Sequence, residues 1–310
     1  MSTNCSTGYI DYLQNIVYGF HFAYLAPPAV LDILMIYVIW FKYPQYYLKQ
    51  VFYLIFSIEC IVGLTLLLLD IFVARFFVFT PQVCLVASKF LMENPIFMDI
   101  YYPLLNYMHT IQPILQVWMV ANRATCVLYP TDYNRWWFKN LKWIIPLTII
   151  FPFIFIWNTI ISPKHIVFLF GGFYINYSQT IKWANMSLIM LVSRSMAITI
   201  TIICTYLTYS RMTRLTVRIK KTEKTLCLVS TIISFCFFVP GIFEFLISIS
   251  ESFATSQIAT IQVGGWDVLN VGSPLVMICA SSQMRSHIFK RKKHSVSFGV
   301  FHLFAVHDYF

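Results

Sequence analysis

Seven long apolar runs divide this chain, at approximately residues 20–41, 50–74, 100–128, 143–161, 186–209, 225–249 and 259–282. A helix needs about 20 apolar residues to cross about 30 Å of hydrocarbon, because each residue advances about 1.5 Å. Each run meets that length. The lengths exclude the shorter alternating segments of a membrane β-barrel. Charged residues make up only 11% of the chain and hydrophobic ones 59%, whereas soluble domains carry about 25% charged residues. The expected fold is therefore all-α, a seven-transmembrane helix bundle whose solvent is lipid.

Basic residues accumulate in loops on the cytoplasmic side of a membrane, and here they fall in alternate gaps. The first Lys or Arg is Lys42, followed by Lys49 in the same gap. Arg135, Lys139 and Lys142 lie in the gap after the third run. Arg211, Arg214, Arg218, Lys220, Lys221 and Lys224 follow the fifth. Arg285, Lys290, Arg291, Lys292 and Lys293 follow the seventh. The other side holds only Arg75, Lys89, Lys164 and Lys182. This asymmetry predicts residues 1–19 outside, the seven-helix bundle over 20–282, and residues 283–310 as a cytoplasmic tail. No basic n-region precedes the first run, so the first span is expected to act as its own insertion signal. Two lesser segments, Arg75 to Met92 and Ile166 to Ile175, are expected as outer loops lying on the bundle or the interface.

Three Asn-x-Ser sequons, at Asn4, Asn176 and Asn185, fall on the side that the charges place outside. That agreement matters because such acceptors are used only on that face. Asn4 and Asn176 are the candidate glycosylation sites, Asn185 standing too close to the fifth run. Six of the eight cysteines lie in apolar runs, where a thiol acts as a small hydrophobe. Cys5 and Cys84 alone fall outside, in an oxidising compartment that permits a bridge between them, although spacing by itself does not decide the pairing.

Charge inside a span is expensive and faces a bundle interior or a water-filled cavity. Asp70, Arg194, Glu244 and Asp267 are expected in the outer third of their spans, with Asp32 near the middle of the first. Together they predict a pocket opening outward, with aromatics and methionines as apolar walls. The same residues also admit a plain structural ion pair, such as Arg194 with Glu244. Arg123 lies near the cytoplasmic end of the third run, where it can snorkel to the interface or serve a partner.

The stretch Asn122-Arg123-Ala124-Thr125-Cys126-Val127-Leu128-Tyr129-Pro130 resembles the Asp-Arg-Tyr region of G-protein-coupled receptors, with the same arginine-to-proline spacing. Asn122 stands in place of the acid and Ala124 in place of the tyrosine. Continued through Trp137, the segment NRATCVLYPTDYNRWW resembles the nematode serpentine chemoreceptors of the class gamma (Srg) superfamily. The resemblance implies a chemosensory receptor in the plasma membrane of sensory neurons or their cilia, binding an external small molecule or peptide. It implies coupling to a heterotrimeric G protein through Asn122, Arg123, Pro130 and the basic foot of the sixth helix, Lys220, Lys221 and Lys224. On that pattern, outward swing of the sixth helix opens a cavity where Arg123 meets the G protein. Phe238 and Pro240 are similar to the aromatic-plus-proline bend of a receptor sixth helix, and a proline there kinks the helix. Asn270 and Pro274 lie in the seventh run, where they loosely resemble the receptor Asn-Pro motif.

Residues 283–293 read as a short amphipathic helix whose basic side attracts anionic lipid on the cytoplasmic face. The net charge of +10 is therefore accounted for at the membrane and says nothing about nucleic acid, which is not expected as a partner. No His-Glu-x-x-His or Gly-x-Ser-x-Gly occurs, so an enzyme, a metal and a cofactor are not expected. A seven-span transporter or ligand-gated channel is the alternative function.

Overall fold

The computed structural model describes residue 5, residues 10–181 and 183–214, residues 227–229, 231–233, 236 and 241–242, and residues 256–289. Helices dominate. The first run forms α1 (Asp11–Tyr37), which runs on through a π-helical turn, Val38–Lys42. It begins nine residues before the apolar run because Tyr18 and its neighbours pack against the second helix; the Tyr18 hydroxyl donates to the Ile71 carbonyl at 3.3 Å. After α2 (Pro44–Tyr47), opened by a proline at its first position, the second run forms α3 (Val51–Leu69).

The helix does not stop where the apolar run does. A π-helical turn, Asp70–Arg75, and α4 (Phe76–Phe79) continue it, so the expectation of an outer loop from Arg75 is corrected. Arg75 is buried within the bundle. The rest of that segment is α5 (Pro81–Glu93), which lays Cys84, Ser88 and Leu91 against its neighbours. Cys5 and Cys84 are bonded, with Cα atoms 6.1 Å apart.

The third run forms α6 (Ile96–Leu128), 33 residues long and so about 50 Å from end to end. It stands at the centre, packed against α3, α7 (Tyr133–Ile150), α8 (Phe153–Ile161) and α9 (Met186–Arg214). Tyr129 leaves helical geometry and ends α6. α7 starts immediately after the Pro130-Thr131-Asp132 turn, which puts Arg135, Lys139 and Lys142 on a helix instead of in a loop. The seventh run forms α10 (Ser256–Ala280) and is followed by α11 (Ser282–Phe289), the described part of the expected amphipathic helix. α10 packs on α1 and α3.

The second lesser segment is a hairpin, β1 (Lys164–Leu169) paired antiparallel with β2 (Gly172–Tyr177). Its two-residue turn, Phe170-Gly171, has positive φ at both positions, 55° and 85°, as the tight turn matching strand twist requires. Gly172 must lack a side chain: a Cβ there would lie 2.0 Å from the Phe77 carbonyl oxygen and 2.5 Å from that of Val78. The hairpin is thus clamped on α4.

Four helical stretches among the described residues are long and apolar enough to cross a membrane: Asp11–Lys42, Val51–Phe79, Tyr133–Ile161 and Met186–Arg211. Their outward faces expose Ile33, Leu68, Leu147, Val192, Ile203 and many other large apolar side chains. Water would penalise such faces, whereas lipid does not. α6 is long enough but less apolar, because Asn106, His109, Gln112, Gln116, Asn122 and Arg123 are turned inward along it. The main core combines Met35, Ile39, Phe52, Phe56, Leu66, Met119, Trp137 and Met277 from five helices.

Candidate functional site

The inward polar residues of α6 separate three layers along the bundle. At the hairpin end lies a cavity of about 470 Å³, within the range of small-molecule sites. α6 supplies Tyr101, Tyr102, Asn106 and His109, and α10 supplies Trp266, Asp267 and Asn270. His21 comes from α1, Met190 from α9, and Phe170, Phe173, Tyr174 and Tyr177 from the hairpin. Burial pushes the Tyr174 and Tyr177 phenols above their ordinary range, so both stand as neutral hydroxyls in the wall.

The charged feature of this cavity is centred on Arg75. Its Nε lies 2.6 Å from Asp70 Oδ2. One terminal nitrogen donates to the Tyr24 hydroxyl at 2.6 Å, and the other pairs with Asp267 Oδ1. The Tyr24 hydroxyl in turn donates to Asp267 Oδ2. Local geometry explains the first pair. Residues five apart on an α-helix point about 140° away from each other, but the wider π turn brings Asp70 and Arg75 onto one face. A reading based on α-helical spacing assigns Arg75 to a loop and misses the pair.

The residues expected in the pocket are therefore divided. Asp70 and Asp267 line it and share Arg75. Arg194 is buried, with its guanidinium 5.7 Å from the centroid of the Trp266 ring; His109 packs against the same ring at 3.8 Å. Glu244 lies outside the described residues. Asp32 does not line the cavity. It sits about 16 Å further along α1 than His21, with a carboxylate oxygen 3.6 Å from where a Cβ on Gly63 would be.

That second layer is a buried polar band. Glu59, an acid legible in the second apolar run but overlooked, accepts a hydrogen bond from Ser273 at 2.9 Å. Gln112 donates to Asn270 Oδ1 at 2.6 Å. Asn270 reaches both the band and the cavity floor.

The third layer is at the far end of α6. Arg123, 2% exposed, donates to Asn122 Oδ1 at 2.5 Å and lies 4.6 Å over the Phe52 ring. It stands about 21 Å along α6 from His109. Trp137 donates to Thr125 at 2.7 Å and holds α7 against this turn. Pro130 is exposed in the turn that follows. Phe238, Pro240, Lys220, Lys221 and Lys224 lie outside the described residues. Nearby, α11 is tied to the turn after α1. Lys42 Nζ donates to the His287 carbonyl at 2.6 Å, Tyr47 OH is 2.7 Å from His287 Nδ1, and Tyr43 stacks on the imidazole at 4.2 Å. Desolvation, then the Lys42 charge, holds His287 below its ordinary range.

Of the sequons, Asn4 lies outside the described residues. Asn176 lines the cavity and accepts from the Tyr177 amide at 2.9 Å. Asn185 accepts from the Ser187 amide at 2.9 Å and so caps α9.

The Srg family chemoreceptor profile matches residues 18–288. The chain is 45% identical to serpentine receptor class gamma-9 of Caenorhabditis elegans over 287 residues, 92% of this chain and 85% of that one. It is 44% identical to class gamma-8 of the same organism over 94% of this chain and 91% of the relative. Class gamma-2, also from Caenorhabditis elegans, is 42% identical over 94% and 90%.

Proposed function

This chain belongs to the Srg family of chemoreceptors, and from that premise we propose that it binds a small external molecule in the hairpin-end cavity and signals through a heterotrimeric G protein. The observation that carries the reading is the placement of cavity and Arg123 on one continuous helix, α6, about 21 Å apart. A ligand between α6, α10 and the hairpin acts directly on the helix that bears Arg123.

Family membership makes the chain a multi-pass membrane receptor, of a family whose members are receptors and not enzymes. The count of seven spans, the outer amino terminus and the cytoplasmic tail are our reading, supported by the basic residues in alternate gaps and by the sequons. Glycosylation at Asn4 and Asn176 and placement in sensory neurons or their cilia belong to the same reading. Arg123 is covered by Phe52 and Asn122, so coupling requires that this cover be withdrawn. Asn122 gives the arginine a neutral partner, which holds it less firmly than a carboxylate would.

Nucleotide exchange on a panel of G proteins tests the proposal, in membranes holding the chain or its Arg123→Ala variant and challenged with pooled metabolites and volatiles. Ligand-dependent exchange that is lost in a folded variant is the expected result. Ligand-dependent current or solute flux without exchange overturns coupling and favours the channel or transporter.

A further inference from the structure

We propose that the ligand of this cavity is a small ammonium compound, an alkyl or arylalkyl amine in its protonated form, whose cation is held by Asp70; the proposal rests on the hairpin-end cavity being the ligand site. Asp70, Arg75 and Asp267 form a trio of two carboxylates and one guanidinium. Its formal charge is negative by one, in a site walled by aromatic rings. A buried charge left without a counter-charge is strongly unfavourable. Because Asp70 keeps an exposed edge, that surplus charge is met there by water, a proton or a ligand cation.

Access decides which of its members a ligand meets. Arg75 has 2% of its side chain exposed and Asp267 10%, but Asp70 keeps 22% and lines the cavity. All three guanidinium nitrogens of Arg75 already face a partner: Asp70, Tyr24 and Asp267. An anionic ligand would meet an Arg75 that is almost fully buried between two carboxylates, whereas an ammonium reaches Asp70 at its exposed edge. Arg194 is not a member of the trio, since its guanidinium lies over Trp266.

Two further observations point the same way. The faces of aromatic rings attract cations, and Tyr101, Tyr102, Phe170, Phe173 and Tyr174 line the cavity. His109 Nδ1 is buried without a hydrogen-bond partner among the described residues, and so is the indole N–H of Trp266 beside it. Both line the same cavity. Buried polar groups are normally paired, so these two await a second polar group on the ligand, or water.

The test is equilibrium binding to the full chain in lipid nanodiscs. One probe set is 2-phenylethylamine, 2-phenylethanol and 3-phenylpropanoate; another is octylamine, octanol and octanoate; tyramine adds a second polar group. Within a set the body is held similar and the charge changes. The expected result is that at least one amine binds about tenfold or more tightly than its alcohol and that its carboxylate counterpart is excluded. In Asp70→Asn, which leaves the Arg75–Asp267 pair neutral, that preference should vanish while alcohol binding is retained. Because the wild-type comparison needs no variant, poor folding of Asp70→Asn does not remove the test. Alcohols or carboxylates binding as well as the amines, at a site abolished by the cavity-filling Met190→Trp, overturn the ligand class and leave the cavity reading in place. Binding that ignores Met190→Trp, or no binding by any probe, overturns both.

Discussion

Removing the guanidinium from the trio is the sharpest test of the cavity's construction. In Arg75→Gln the Asp70 and Asp267 carboxylates lose their shared cation, and the Gln amide cannot reproduce a three-way contact. Breaking a buried ion pair by deleting one partner costs about 3–5 kcal/mol. The exposed edge of Asp70 lets water screen part of that, which favours the lower end, about 3 kcal/mol. For a chain of this size such a loss lowers the unfolding midpoint by roughly 5 °C. The double variant Arg75→Gln, Asp267→Asn returns the site to a single negative charge and should recover most of the deficit. Thermal unfolding in detergent, followed by labelling of the buried cysteines, measures both. A single variant as stable as the parent, or a double variant no better than the single, would refute the claim that charge balance holds this corner together.

Three other perturbations probe the remaining layers. Gly172→Ala places a methyl group 2.0 Å from the Phe77 carbonyl oxygen and should lift the hairpin from α4, lowering both thermal stability and any cavity binding; unchanged values would show the clamp to be dispensable. Phe52→Leu keeps an apolar side chain at this buried position but removes a cation–π contact to Arg123 worth about 0.5–2 kcal/mol, so basal nucleotide exchange should rise roughly 2- to 30-fold; a fall or no change counts against Phe52 as a cover. His287 is held below its ordinary value by desolvation and Lys42, so the folded chain binds its proton less readily than the unfolded chain. Its contribution is fully present above about pH 6.5 and is lost as pH falls from there through the lower folded value. His287→Gln should therefore show a smaller drop in midpoint between neutral and mildly acidic buffer, and equal drops would show that this contact does not sense protons.

How much of this was legible in the residues varies with the range of the interaction. The apolar runs were readable because a membrane-spanning helix satisfies its backbone internally, so length and local composition suffice. Their ends were less readable. α1 starts at Asp11, and the second helix continues to Phe79 through a π turn; neither extension follows from apolarity. Asp70 and Asp267 were expected in a pocket and do line one, but Asp32 belongs to the deeper band with Glu59. Helix depth can be counted along the chain, whereas the direction a side chain faces depends on which neighbours the helix meets.

The sequence by itself determined an α-helical membrane chain, the placing of its basic residues in alternate gaps and the Asn122–Trp137 segment that resembles the Srg receptors. Those are properties of contiguous residues, and each is visible at the scale of one helix or one loop. Only the tertiary structure decided that Arg75 is a buried partner and not a loop cation, since Asp267 stands 192 residues away from it. Only packing, too, folded the hairpin over the cavity, because Gly172 reveals its need for a missing side chain through the carbonyls of a different helix. Pairing between distant charges is set by the distance between helices in space, and no periodicity along the chain encodes that distance.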